Sequence, residues 1–429
     1  SLRAEYVAAA VDSSRIMSVP AADRAAVGVL YSPFHGVGSL SVLPALQAAG
    51  VAVRLLEPQA RPDPNFPTLP KGVANPEEPP TFWRLLCAAR DSDDILLASD
   101  PDADRIGAMV RRRPGGEWIY LDGNRLMALL CDFAVRRWHV ATGDWAVASG
   151  AERRGPVGHT SVAGANGKGH IEGDGAKLRG VVSRTIVTTA LVDRIAETAA
   201  PGRVDLVNDL LVGLKYQGRL IDRVLAEPSP RRVFVFGGEE AHGYLSGEHS
   251  LDKDAANAAC LLAGPAAECK AAGRTVWQHL LGLYRRFGLF ANGGVNLSLT
   301  AAEGGMARAR AILDRLRAAP PATLAGRAVV AVIDHHKDRR ITVDRRTGRR
   351  EEVPFDPGNV LTFVLSDDGL ERVTVRPSGT EPKMKLYGQL VRPLPADSSD
   401  DAAEGLVESA ERELSSLLAA AMGEMKSLG

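Results

Sequence analysis

The sequence predicts an α/β protein: two α/β/α mixed-sheet domains followed by a smaller α+β domain. Three observations carry that expectation. Apolar β-rich runs alternate with segments of helical spacing over residues 1–145 and again over 181–295. Residues 146–180 lack periodicity and accumulate Gly, His, Ser and Asn, which marks them as a linker or insertion. Residues 296–429 gather several strand-like runs ahead of one long amphipathic helix.

In order along the chain, Val27–Tyr31 is a short β-rich run broken by Ser32-Pro33-Phe34-His35-Gly36-Val37-Gly38. Leu40–Ala49 then has helical spacing up to the stop at Gly50. Val51–Leu56 and Asp94–Ala98 read as the next strands, the second apolar enough to be buried on both faces. Gly107–Val110 is a further strand and Asn124–Val135 a helix. Beyond the linker, Thr188–Ala199 is helical, Arg232–Phe236 is a strand, and helices follow at Ala255–Ala263 and Val276–Phe287. In the last domain the helix Met306–Ala318 precedes strands Ala328–Ile333, Val360–Leu365, Arg372–Val375 and Met384–Tyr387. A final helix opens near Ala402, with Leu406, Leu414, Leu417 and Leu418 as the stripe expected to pack on those strands.

At 429 residues the chain is long enough for about two to four domains. Lys+Arg and Asp+Glu both number 52, so no bulk field draws nucleic acid or an anionic membrane, and any basic site is local. No apolar run reaches the ~18 residues that span a bilayer. Cys87, Cys131, Cys260 and Cys269 form no C-x-x-C pair and read as buried apolar residues in a reducing, cytoplasmic compartment. The N-terminus, Ser1-Leu2-Arg3-Ala4-Glu5, has no signal-peptide pattern and no initiator Met, and begins within an apparent helix. The chain is therefore expected to be cut from something longer.

Three loops carry chemistry. In Ser99-Asp100-Pro101-Asp102-Ala103-Asp104-Arg105, carboxylates at i, i+2 and i+4 follow a buried strand and repel one another unless a cation sits among them. Hard oxygen donors suit Mg²⁺ or Ca²⁺ better than zinc. An EF-hand loop would need Gly and Glu where this chain has Arg105 and Arg111. The alternative, a solvated acidic turn, fits poorly with the rigid Pro101 and the apolar strand before it. Gly237-Gly238-Glu239-Glu240-Ala241-His242-Gly243 follows a strand, where α/β folds bind ligands, and Glu accepts hydrogen bonds from the vicinal hydroxyls of sugars; an ordinary turn is the competing account. Arg376-Pro377-Ser378-Gly379-Thr380-Glu381-Pro382-Lys383 joins a guanidinium fork, two hydroxyls and a glycine that lets backbone N–H groups approach. That set suits a phosphate, with a polar hairpin turn as the alternative. No Walker A loop is present: Gly167-Lys168 lacks the earlier Gly and is followed by Gly169. Lys215, in Val212-Gly213-Leu214-Lys215-Tyr216, reads on its own as a solvated charge.

Taken in order, these loops resemble the magnesium, sugar-recognition and phosphate-binding loops of the α-D-phosphohexomutase superfamily. Tyr31–Gly38, the Gly213-Leu214-Lys215-Tyr216 segment and Leu251-Asp252-Lys253-Asp254 add to a likeness that covers nearly the whole chain outside residues 146–180. The resemblance implies that Asp100, Asp102 and Asp104 hold Mg²⁺, with Arg105 beside the transferring phosphoryl group. It implies that Glu239 binds sugar hydroxyls, and that Lys215, Arg376, Ser378, Gly379 and Thr380 bind substrate and its other phosphate. Arg105 and Lys215 are thus the expected catalytic residues. The implied reaction converts hexose 1-phosphate to hexose 6-phosphate through a phosphoserine and a bisphosphate, with a glucose 1,6-bisphosphate-type activator. Ala241 stands where the family usually has Ser, as in the branch similar to phosphopentomutases and glucose-1,6-bisphosphate synthases. The family's T-x-S-H-N-P serine loop has no counterpart here, and His159-Thr160-Ser161 has similar letters in the wrong setting. The chain is therefore expected to be a three-domain portion without the serine, inactive as given, able to bind sugar phosphates and prone to self-association. A serine-less regulatory protein that only binds sugar phosphates is the third reading.

Overall fold

The structure, a computed structural model, describes residues 1–143, 178–228, 232–299, 305–378 and 383–428. Most of the expected linker, with Ser161, and the loop residues Gly379 and Thr380 lie outside the described residues. The chain divides into two compact units, Ser1–Leu280 and Leu281–Gly429. Among the described residues no helix is long and apolar enough to cross a membrane.

The first unit opens with α1 (Leu2–Ser13) and α2 (Ala21–Ala26). It continues through β1 (Gly28–Ser32), α3 (Val42–Ala48), β2 (Ala52–Leu55), α4 (Trp83–Ala88), β3 (Ile95–Ser99), β4 (Ile106–Arg111), β5 (Trp118–Leu121) and α5 (Gly123–Gly143). The five strands form one sheet in the order β2-β1-β3-β4-β5. β1 runs parallel to β2 and β3, whereas β4 and β5 return antiparallel. Leu96 and Ala98 of β3 join Leu30, Phe82, Leu85 and Met109 in one apolar cluster. Ile95 and Leu97 point to the opposite face by the pleat and are buried as deeply, so the strand is enclosed on both sides.

A second sheet follows, with β6 (Gly180–Thr185), α6 (Leu191–Ala199), β7 (Val204–Leu210), α7 (Leu214–Leu225), β8 (Val233–Gly238), β9 (Tyr244–Ser246), α8 (Ala255–Ala271) and α9 (Val276–Phe287). Its order is β7-β6-β8-β9, with β6 parallel to both neighbours and β9 antiparallel at the edge. Helix α8 packs against α1, α2, α3 and α5 and touches both β4 and β9. Its run of alanines is what a helix enclosed on all sides needs, because small side chains let neighbouring backbones approach. Asp254 caps it, accepting from the Ala256 and Asn257 amides.

The second unit holds β10 (Leu289–Ser298), α10 (Gly305–Ala318), a two-residue ladder of β11 (Thr323–Leu324) with β12 (Arg327–Ala328), and then β13 (Ala331–Asp344), β14 (Arg350–Val364), β15 (Arg372–Pro377), β16 (Lys383–Arg392) and α11 (Asp400–Ser427). An antiparallel sheet, β10-β16-β15-β14-β13, carries α10 and α11. β14 meets β15 only at Leu361–Val364, so beyond that point β13 and β14 continue as a two-stranded ribbon.

Several details differ from the sequence reading. The expected division at 295 falls inside β10, which pairs along its whole length with β16; its Asn292-Gly293-Gly294 core hides the strand alternation. Leu406 is 40% exposed, and Val407 occupies the inward position instead. Cys87 is exposed, while the other three cysteines are buried.

Candidate functional site

β1 and β3 are parallel neighbours, so the segments leaving their C-terminal ends emerge at one edge of the sheet. The segment after β1 lies directly on the one after β3. The Val37 N–H donates to the Pro101 carbonyl at 2.8 Å, and the Tyr31 and Ser99 hydroxyls are 2.7 Å apart. Gly36 is needed at this contact, since a Cβ there would stand 2.6 Å from the Pro101 carbonyl carbon.

The acidic loop brings Asp100, Asp102 and Asp104 together: one oxygen of each lies within 4.8 Å of the others. Asp100 is 1% exposed. Its Oδ1 accepts the backbone N–H groups of Asp104 at 3.1 Å and Arg105 at 3.0 Å, and its Oδ2 accepts Arg105 Nε at 2.6 Å. Burial pushes the Asp100 carboxyl up to about 6, although the backbone and guanidinium of Arg105 favour its charge. Lys253 Nζ lies 2.6 Å from Asp104 Oδ2. The other oxygen, Asp104 Oδ1, is buried and accepts no hydrogen bond. A buried carboxylate oxygen without a donor is a ready ligand for a hard cation, and an all-oxygen donor set fits Mg²⁺.

The second loop sits at the end of β8, whose parallel neighbour β6 ends at the same edge. The buried Glu239 carboxylate accepts the backbone N–H of Gly213, which ties it to the turn opening α7. Lys215 lies two residues further on, exposed, with Nζ 4.9 Å from the centre of the Tyr216 ring. Glu240 accepts the Thr188 hydroxyl at 3.1 Å. His242 fastens this loop to the start of β4: its Nδ1 lies 2.8 Å from the Ile106 carbonyl, and the Ile106 N–H donates to the His242 carbonyl at 3.2 Å. Burial pulls the His242 imidazole below its ordinary range, and because the Ile106 carbonyl can only accept, it is Nδ1 that donates to it. Ile106 directly follows Arg105, so the acidic loop and the Glu239 loop share one joint.

Four residues at this joint were not assigned roles from the sequence. Glu77 holds Arg105 at 2.6 Å, Lys253 holds Asp104, His242 locks the second loop, and the Tyr120 hydroxyl lies 3.3 Å from His242 Nε2. Lys253 and His242 stood inside quoted motifs, but no spacing rule pairs them with partners more than a hundred residues away.

In the second unit, Arg376 is half-buried near the end of β15. The Ser378 N–H donates to the Lys383 carbonyl at 2.8 Å; Gly379 and Thr380, the other two expected phosphate-loop residues, lie outside the described residues.

Residues 4–115 match the family described as phosphoglucomutase/phosphomannomutase, α/β/α domain II, and residues 168–287 match its α/β/α domain III. The phosphoglucomutase of Staphylococcus haemolyticus (strain JCSC1435) is 28% identical over 361 residues, covering 84% of this chain and 56% of that protein. That of Staphylococcus aureus (strain USA300) is 28% identical over 367 residues, covering 85% and 57%. The chain thus spans somewhat more than half the length of these curated relatives. Among solved structures, Paramecium pp63/parafusin, a phosphoglucomutase in its open form, superposes with a TM-score of 0.52 at 15% identity, covering 95% of this chain and 60% of that one. A phosphoglucomutase/phosphomannomutase family protein from Burkholderia thailandensis gives 0.50 at 14%, covering 96% and 64%. At such identities these two structures speak to the fold alone.

Proposed function

The chain belongs to the phosphoglucomutase/phosphomannomutase family, within the α-D-phosphohexomutase superfamily, and from that membership we propose that it carries the metal, sugar and phosphate loops of a sugar-phosphate mutase acting on hexose 1-phosphate. The observation that most supports this reading is the gathering of the Asp100, Asp102 and Asp104 carboxylates, with a buried Asp104 Oδ1 that accepts no hydrogen bond. In this reading Asp100, Asp102 and Asp104 hold Mg²⁺, which when bound supplies positive charge against the phosphoryl oxygens. Arg105 holds a phosphoryl oxygen through its guanidinium. Glu239 accepts hydrogen bonds from sugar hydroxyls, and Lys215 steadies the substrate from the neighbouring turn. Arg376 and Ser378, with Gly379 and Thr380, take the phosphate that is not being transferred. The phosphoryl carrier is a serine outside the motifs of this chain, and a bisphosphate of the glucose 1,6-bisphosphate type links the two half-reactions. The free thiols support a cytoplasmic setting.

Ala241 favours a second reading in which the substrate is a pentose phosphate or the product a sugar bisphosphate. Calorimetry with glucose 1-phosphate and ribose 1-phosphate in the presence of Mg²⁺ separates the two. The Arg376→Ala variant is expected to lose about 1.5–3 kcal/mol of sugar-phosphate affinity, roughly tenfold or more. Wild-type chain that binds neither sugar phosphate overturns the proposal. Assayed alone with glucose 1-phosphate, a trace of glucose 1,6-bisphosphate and Mg²⁺, the 429 residues are expected to give no turnover. Rates of ~1–1000 per second would show that the carrier lies within them.

A further inference from the structure

Arg105 is held from two sides. Its Nε is 2.6 Å from Asp100 Oδ2, and its NH1 nitrogen is 2.6 Å from Glu77 Oε1. Asp104 Oδ1 lies 3.7 Å from the same Nε. The backbone that carries Glu77 is held in place. The Glu77 N–H donates to Asn75 Oδ1 at 3.1 Å, and the Tyr120 hydroxyl donates to the Pro76 carbonyl at 2.7 Å. Tyr120 also packs edge-on against Phe82 of the apolar cluster. The proline-flanked segment Asn75-Pro76-Glu77-Glu78-Pro79 is thereby fastened to β5 and presents one carboxylate to the guanidinium.

A guanidinium has five donors in a fixed fork and seeks an acceptor for each end. The acceptors otherwise nearest are Asp100 and Asp104, which are also proposed cation ligands. We propose that Glu77 is a positioning residue for Arg105: it takes one end of the fork and so keeps the acidic loop open to a divalent cation. The inference rests on the metal-loop reading above. Without Glu77, the released end of Arg105 turns onto the Asp100 and Asp104 oxygens and competes with the ion.

The test is a double-mutant cycle read by Mg²⁺ calorimetry on the whole chain, with Glu77→Gln, Arg105→Ala and the pair. Glu77→Gln is expected to weaken Mg²⁺ binding about tenfold, and to change it by less than about twofold when Arg105 is already Ala. Glu77→Asp, which restores the charge one methylene shorter, should recover part of the loss. An equal effect of Glu77→Gln in both backgrounds overturns the proposal, because Glu77 would then act through its own charge or through the fold. No effect in the wild-type background overturns it as well. Wild-type chain that binds no Mg²⁺ overturns the metal-loop reading and this inference together. Wild-type binding with no coupling between the two residues sinks only the inference. Thermal melts of each variant separate loss of fold from loss of positioning, since a purely structural role would lower the melting point without producing the coupling.

Discussion

Replacing Asp254 with Ala is expected to lower the stability of the first unit by about 4 kcal/mol, seen as a fall of roughly 1 M in the urea midpoint. The side chain is almost wholly buried and has four partners. Oδ1 accepts the Tyr6 hydroxyl at 2.7 Å and the amides of Ala256 at 2.8 Å and Asn257 at 3.3 Å, and Oδ2 lies 2.8 Å from His249 Nε2. Loss of a helix cap costs about 1–2 kcal/mol, and each buried group left without a partner adds about 1–3 kcal/mol. Asp254→Asn keeps an acceptor for the cap and is expected to lose only about 1 kcal/mol. An Ala variant as stable as wild type would mean that α8 does not depend on its cap. The loss should also reach the acidic loop. Lys253 bridges to Asp104, and the Ala255 N–H donates to the Ala103 carbonyl, so an unravelled first turn of α8 releases both contacts.

Gly123→Ala is the second large effect, expected to cost about 3 kcal/mol and to weaken sugar-phosphate binding along with it. Gly123 opens α5 immediately behind the joint of the two loops. A Cβ there would stand 2.6 Å from the Glu240 carbonyl carbon and 3.1 Å from the His242 ring, and neither has room to retreat. His242 is fixed by two hydrogen bonds to Ile106, and the Gly123 carbonyl itself accepts the Tyr244 hydroxyl at 2.9 Å. The backbone of the Glu239 loop must shift to make space. Gly423→Ala is the control: nothing lies within 4 Å of its Cβ position in α11, and the change is expected to be neutral or to stabilise by up to about 1 kcal/mol. If the two variants melt alike, the close packing behind the joint has been misread.

What the sequence reveals here depends on whether the signal is local. β3 and its acidic loop are legible because an unbroken apolar run leads into three carboxylates, so burial and charge state the position without a partner. The Glu239 loop is legible for the same reason. β7 is harder to see: Val204–Leu210 lies at a sheet edge and alternates with Asp and Asn only in part. α7 is masked by Gly213 and Gly218, which read as breakers; a Cβ at Gly218 would sit 2.6 Å from the Leu251 carbonyl oxygen. β13 and β14 appear in the sequence only as their inner apolar halves, since the outer halves are charged and carry no core. The contacts that order the site, Glu77 with Arg105 and Lys253 with Asp104, are ionic pairs between distant segments. Periodicity reports which face is buried, not which charge meets which, and so those partners emerge only in three dimensions.

The ribbon that β13 and β14 form beyond the sheet has a consequence for how the chain meets a protease. Its outer part carries Arg339, Arg340, Arg345, Arg346, Arg349 and Arg350, and among the described residues no third strand pairs with it, although the Arg345 N–H donates to the Val330 carbonyl at 2.9 Å. Positive side chains on an open edge discourage another strand from adding there. The same arginines make the exposed tip a better trypsin target than the paired strands beside it, because exposed turns yield to cleavage before paired strands do. Nicking at Arg345–Arg349 would leave the inner rungs, from Ala331 opposite Val364 to His336 opposite Asn359, still bonded. The two pieces would then travel together in native conditions and part only in denaturant, with the sheet as the tie between them.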